Sequence, residues 1–141
     1  MAKHLQVIEQ FLTDKGIPFQ FDIEKNLLML LFNGLHGGAY CMFHFEREMI
    51  DFYSIYPWKV GEQYQSNVQT ALLEINSELT SGIFYFDEMT KSVAFNHSFY
   101  FAYTDKCMEK RLLEEFSSFA INSISQYSQK IKIAAGFDLL N

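Results

Sequence analysis

The sequence predicts a single α+β domain in which helices flank an antiparallel sheet, with the element order α-ββββ-α-ββ-α. In three long segments, apolar residues recur at three- and four-residue steps, which is the pattern of amphipathic helices. Six shorter segments alternate apolar and polar residues or are apolar throughout, as strands are. The 141 residues contain no linker, repeat or low-complexity tract, so we expect one domain over residues 1–141.

The first helix is predicted over residues 3–15, and Gly16 and Pro18 end it. Four strands follow, over residues 19–23, 27–32, 39–45 and 49–58. The second is apolar on both faces, so we expect it inside the sheet. Since Pro57 cannot donate a backbone hydrogen bond, the fourth strand either ends there or lies at an edge. The glycine-rich segment 33–38 is predicted to be a hairpin loop.

The second helix is predicted over residues 66–79, with Ser66 as its N-cap. After the break at Ser81-Gly82, strands over residues 83–86 and 92–103 form a hairpin. The last helix is predicted to begin with Thr104 or Asp105 as cap and to continue to about Lys132, with Gly136 ending it.

Composition excludes several classes of function. The formal net charge is −6 and the 11 Lys and Arg residues are scattered, so no basic surface for nucleic acid is expected. No segment has the apolar length of a signal peptide or a membrane span, which predicts a cytoplasmic protein without a membrane partner.

The two cysteines, Cys41 and Cys107, are predicted to be unpaired. Burial is expected to make Cys41 unreactive, and Cys107 is predicted to lie in the first turn of the last helix.

No catalytic residues, cofactor or metal site is predicted. The four histidines have no ligand spacing and no accompanying cluster of Cys or carboxylates. His97, on an apolar strand face, is predicted to be a core histidine that is hydrogen-bonded to the backbone. The acidic pair Glu46 and Glu48 is predicted to lie in a solvated turn, and no serine lies in a nucleophile-elbow sequence.

The sequence is rich in aromatic residues, with 15 Phe, 8 Tyr and 1 Trp. If helices cover one face of the sheet only, some of these side chains remain on the other face as an exposed apolar patch, which is typical of a binding surface. Alternatively, the long last helix folds back and covers them. The residues predicted to contact a partner are Phe52, Tyr53, Tyr56, Trp58 and Tyr100.

The element order, with Leu73-Glu74-Ile75-Asn76 at the end of a helix and Gly82-Ile83-Phe84 opening the next strand, resembles the YbjN family, which shares its fold with the type III secretion chaperones. The resemblance implies a helix-flanked antiparallel sheet and frequent dimerisation. It also implies a role in binding proteins rather than in turnover, and members are described as candidate sensory-transduction regulators. Within this motif we expect Asn76 to be structural, satisfying backbone groups near the end of its helix.

We therefore expect a non-enzymatic protein-interaction module that binds a protein segment, or a second copy of itself, through a sheet face or edge. The alternative is a small-molecule-binding domain or an unrecognised enzyme whose aromatic residues line a pocket between sheet and helices. A deep pocket containing His97 would favour the alternative.

Overall fold

The computed structural model describes residues 2–31, 38–101 and 104–137, and these contain three α-helices and six strands in the predicted order. The helices are α1 (Ala2–Asp14), α2 (Gln65–Glu78) and α3 (Glu109–Ala134). The strands are β1 (Phe19–Asp22), β2 (Leu27–Leu30), β3 (Tyr40–Phe45), β4 (Met49–Ile55), β5 (Ile83–Asp87) and β6 (Ser92–Tyr100). The predicted α+β class and element order are confirmed.

The strands form one antiparallel sheet in the order β1-β2-β3-β4-β6-β5. β4 pairs with β6, so the chain leaves β4, forms α2, reaches the edge strand β5 and returns to the centre through the β5–β6 hairpin. β2 lies between β1 and β3, inside the sheet, as its apolar character predicts. The two edges are β1 and β5.

The helices form a single layer on one face of the sheet. α1 and α2 each pack against α3, and α2 also contacts the edge strand β5. Successive side chains of a strand point to opposite faces, so every second strand residue enters this layer. Phe43, Phe52 and Phe95 are fully buried beneath it, and Leu113 and Phe116 of α3 are buried as well. The long last helix thus covers one face of the aromatic sheet.

Several element boundaries differ from the prediction by one or more residues, and three of them are informative. β4 ends at Ile55, three residues before the predicted end at residue 58; of the two alternatives set by Pro57, the strand therefore ends before the proline and lies in the middle of the sheet. α2 begins at Gln65 rather than with Ser66 as cap, because a 3₁₀ turn, Glu62–Tyr64, leads directly into it. α3 begins at Glu109, because the carboxylate of Asp105 accepts the N–H of Cys107 in a separate turn before the helix.

Several predicted features lie outside the described residues: the last residue of the 27–32 strand, most of the 33–38 loop, and the end of the 92–103 strand. Within the described residues, none of the three helices has the length and apolar character that crossing a bilayer requires.

Candidate protein-binding surface

The sheet face opposite the helices is covered by none of the elements that the structure describes. We call it the open face, and its side chains are exposed or half-buried except for the small Ala94 and Ser92. Strand register arranges these side chains in rows that run across the sheet, because directly paired residues of neighbouring antiparallel strands lie on the same face.

The first row crosses all six strands. Its members are paired directly, strand to strand, and are Gln20, Met29, Met42, Tyr53, Asn96 and Ile83. The second row, beside it, crosses four strands and consists of Tyr40, Ile55, Ala94 and Tyr85. Tyr40 is 48% exposed and Ile83 is 51% exposed. Adjacent exposed apolar side chains of this kind are typical of binding surfaces.

A polar row lies on the other side of the first row and consists of Asp22, Leu27, His44, Asp51 and Ser98. Beyond it, Met49 pairs with Tyr100, which is 52% exposed. The open face is therefore amphipathic: two mainly apolar rows lie on one side of a strip of charged groups.

Two of the predicted contact residues, Tyr53 and Tyr100, lie on the open face. They occupy neighbouring strands, β4 and β6, and the polar row separates them. Partial burial raises the pKa of Tyr53, and the carboxylate of Asp87 raises it further. The Tyr53 hydroxyl is therefore a neutral hydrogen-bond donor at physiological pH, beside apolar neighbours.

Two other predicted contact residues, Phe52 and Tyr56, lie in the helix-covered core. Phe52 is 0% exposed and Tyr56 is 2% exposed. The Tyr56 hydroxyl donates a 2.7 Å hydrogen bond to the carbonyl of Ile124 on α3, and burial strongly raises its pKa. Since β4 alternates between the faces, these side chains cannot share a surface with Tyr53. Burial removes both from the candidate surface.

Trp58, the fifth predicted contact residue, lies beyond the end of β4 and is half-buried. Its ring stacks on Tyr56, with centroids 4.9 Å apart, and packs against Phe137 at 5.2 Å. Its Nε1 is buried without a hydrogen-bond partner among the described residues. Trp58 therefore covers the end of the core and does not extend the open face.

His97 is a buried core histidine, as predicted, but its hydrogen-bond partner is a side chain and not the backbone group that was expected. Its Nδ1 lies 3.0 Å from the hydroxyl oxygen of Ser81, and its ring packs against Phe116 and Phe119 of α3. Burial lowers the pKa of His97 to about 4. The surrounding aromatic rings fill the interior, so the environment of His97 is that of a core residue.

One surface cleft among the described residues has a charged lining, unlike the aromatic pocket of the alternative hypothesis. This cleft of about 600 Å³ lies between the start of α1 and the start of α3. Charged residues contribute most of its lining, among them Lys3, Arg47, Lys106 and Glu109, and His97 is not part of it.

Asn76, the helical residue of the family motif, satisfies backbone groups on β5. Its Nδ2 donates to the carbonyl of Phe84, and its Oδ1 accepts the N–H of Phe84, each at 2.9 Å. Asn76 therefore has the expected structural role, but the backbone groups that it satisfies belong to the neighbouring edge strand rather than to the end of its own helix. At Phe84, the β5 edge is therefore closed to pairing with another strand.

The two cysteines are free. Cys41 is buried next to Ser54, and burial raises its pKa to about 11, as its apolar strand predicts. Cys107 is exposed and lies before α3 rather than in its first turn.

One cluster of side chains on the polar row was not predicted from the sequence. His44 and Asp51 are direct partners in the β3–β4 hairpin, and Glu46 lies beside them. Spacing along the chain does not reveal this group. The hairpin folds about Arg47 and Glu48 and therefore pairs residue 44 with residue 51, whereas the predicted turn at residues 46–48 pairs residue 44 with residue 50, so the sequence alone did not bring these residues together.

A sheet of six antiparallel strands with helices on one face, in this element order, is the fold of YbjN and of the type III secretion chaperones. The resemblance found in the sequence is therefore confirmed at the level of the fold. No family model matches the chain, and no curated protein matches it in sequence.

Three solved structures illustrate this likeness. YbjN from E. coli is 14% identical with a TM-score of 0.61, over 89% of this chain and 92% of that one. A chain of the ExsC–ExsE complex is 17% identical with a TM-score of 0.63, over 92% and 94%. A chain of the HopA1–SchA chaperone–effector complex is 10% identical with a TM-score of 0.57, over 92% and 98%.

Proposed function

We propose that this protein is a non-enzymatic, chaperone-like interaction module that binds a segment of another protein on its open face. The observation that carries the proposal is the pair of apolar rows, which cross the sheet without a covering element among the described residues. An unstructured segment suits such a surface, because its apolar side chains can be buried one after another along the rows. The complexes containing ExsC and SchA support a protein partner.

The open face is a better candidate than the β5 edge. Strand addition needs unpaired backbone groups along an edge, and Asn76 already occupies those of Phe84. We therefore narrow the predicted contact residues to Tyr53 and Tyr100 and add Tyr40, Tyr85 and Ile83, which lie on the same face.

Site-specific photo-crosslinking in the producing cell tests this proposal. A photoreactive amino acid at position 85, on the open face, is expected to trap a protein partner that mass spectrometry identifies. The same amino acid at position 89, in the exposed β5–β6 turn, is the control and is expected to trap nothing specific. Equal trapping at both positions, or trapping at position 89 alone, contradicts the proposal.

The cytoplasmic location and the homodimer expected from the sequence remain part of this proposal. Light scattering on the purified protein is expected to give the mass of a dimer. A strict monomer that retains a small ligand through purification would instead support the ligand-binding alternative. Crosslinks from position 85 to a second copy of the chain would identify the dimer, rather than another protein, as the occupant of the open face.

A further inference from the structure

Three side chains at one end of the open face bring metal-binding atoms together. They are His44, Glu46 and Asp51, and one ligand atom from each lies within 4.8 Å of the other two. Nδ1 of His44 is 3.4 Å from Oε1 of Glu46. The cluster contains one imidazole and two carboxylates, so its donor atoms are one nitrogen and oxygens.

The hairpin fixes this arrangement. His44 on β3 and Asp51 on β4 are directly paired, so their side chains leave the sheet side by side. Glu46 follows at the start of the turn, which the hydrogen bond from its N–H to the carbonyl of Met49 closes. A third strand contributes as well, because the hydroxyl of Ser98 on β6 donates to the carboxylate of Asp51. Ligands oriented in this way by a neighbouring hydroxyl are common in metal sites.

We propose that His44, Glu46 and Asp51 form a binding site for a divalent transition-metal ion of the Zn²⁺ type. Zn²⁺ accepts histidine nitrogen and carboxylate oxygen at bond lengths of about 2.0–2.2 Å, which sets neighbouring ligand atoms roughly 3–4 Å apart. The pair His44–Glu46 is already at that spacing, and a carboxylate oxygen of Asp51 lies within 4.8 Å of both ligand atoms. The ion neutralises the two carboxylates, and three protein ligands leave a coordination position free on the open face.

A simple ion pair between His44 and Glu46 is the competing explanation for this geometry. An ion pair requires a protonated imidazole and does not need Asp51, whereas a metal site requires the neutral imidazole and all three residues. Isosteric substitutions separate the two explanations, because Glu46→Gln and Asp51→Asn keep side-chain size and hydrogen-bonding capacity while removing the negative charge.

The test is a calorimetric titration of untagged, chelator-treated full-length protein with ZnCl₂ at pH 7.5. The chain carries Cys107→Ser, because an exposed thiolate is itself a zinc ligand. We expect a single zinc ion per chain, and we expect His44→Ala, Glu46→Gln and Asp51→Asn each to weaken its binding by about tenfold or more. Glu48→Gln, in the same turn but outside the cluster, is the matched control and is expected to bind zinc as the parent does.

Circular dichroism confirms that each variant is folded, and NMR of the His44 ring gives a second readout on the unmutated cluster. Zinc is expected to shift the Nδ1 resonance of His44. No heat of zinc binding, zinc binding that survives Glu46→Gln and Asp51→Asn, or an unshifted His44 ring in the zinc-loaded protein each overturns the proposal. Because this test needs no protein partner, its result is independent of the proposed function.

Discussion

The side-chain amide of Asn76 binds both backbone groups of Phe84, with hydrogen bonds of 2.9 Å from Nδ2 to the carbonyl and from the N–H to Oδ1. The amide thus takes the place that a neighbouring strand would occupy along β5. This contact joins α2 to the edge of the sheet and explains why a helical Asn precedes a Gly-x-Phe strand in the motif of this chain.

Asn76→Ala is expected to lower the free energy of unfolding by about 1–3 kcal/mol, because it leaves two backbone groups of Phe84 without partners. Asn67→Ala, at an exposed position of the same helix, controls for the change in helix propensity. Urea denaturation of both variants measures the difference. Equal stability of the two variants would show that the Asn76 contact contributes nothing.

Gly82→Ala is expected to destabilise the protein more than Gly16→Ala does. Both glycines have positive φ, +79° and +70°, so each substitution costs about 1–2 kcal/mol in backbone strain. At position 82 the new Cβ would also lie 2.6 Å from Cζ of Phe95, whereas at position 16 it meets nothing within 4 Å. The difference in thermal stability between the two variants measures the cost of the clash with Phe95. If both lose the same stability, Phe95 moves aside at no cost.

Tyr56→Phe is expected to cost about 1–2 kcal/mol of stability, since the buried carbonyl of Ile124 loses its hydroxyl partner. Tyr40→Phe is the matched control, because it removes a hydroxyl from an exposed tyrosine of the open face. Chemical denaturation followed by Trp58 fluorescence measures both changes. The account of Tyr56 as a core residue fails if the two substitutions have the same effect.

His97 is expected to make the protein less stable as the pH falls. Burial lowers its pKa from 6.5 to about 4 in the folded state, so the unfolded chain binds a proton that the folded chain does not. The contribution of the neutral His97 imidazole to the stability of the fold is complete above pH 6.5. It is lost as the pH falls from 6.5 toward 4. The urea concentration at the midpoint of unfolding is expected to fall more steeply between pH 7 and pH 5 for the parent protein than for His97→Gln. Parallel pH profiles of the two proteins would contradict this prediction.

The elements were predictable because their patterns are local. The stripe of α1 and the alternation of β6 depend on neighbouring residues, so their positions follow from sequence to within a few residues. The start of α3 was not predictable in this way. Asp105 has the chemistry of a helix cap, but its side chain closes a separate turn that depends on the path of the chain after β6.

The residues of the candidate site were less predictable. Successive side chains of a strand alternate between the two faces of the sheet, but this alternation does not show which face the helices cover. Phe52 and Tyr53 are adjacent in sequence and equally aromatic, yet one is buried and the other lies on the open face. The joining of His44 to Asp51 depends on hairpin register, and the role of Asn76 depends on the packing of α2 against the edge strand.

The most direct test of the central claim is the affinity of the crosslinked partner segment for two matched lysine variants. Ile83→Lys places a charge on the open face, and Ile133→Lys places the same charge at an exposed isoleucine of α3. Lysine is compatible with an edge strand and with the last turn of a helix, so both variants are expected to fold. We expect Ile83→Lys to weaken binding by about tenfold or more and Ile133→Lys to leave the affinity unchanged. Equal affinities of the two variants, or a loss confined to Ile133→Lys, would contradict the account.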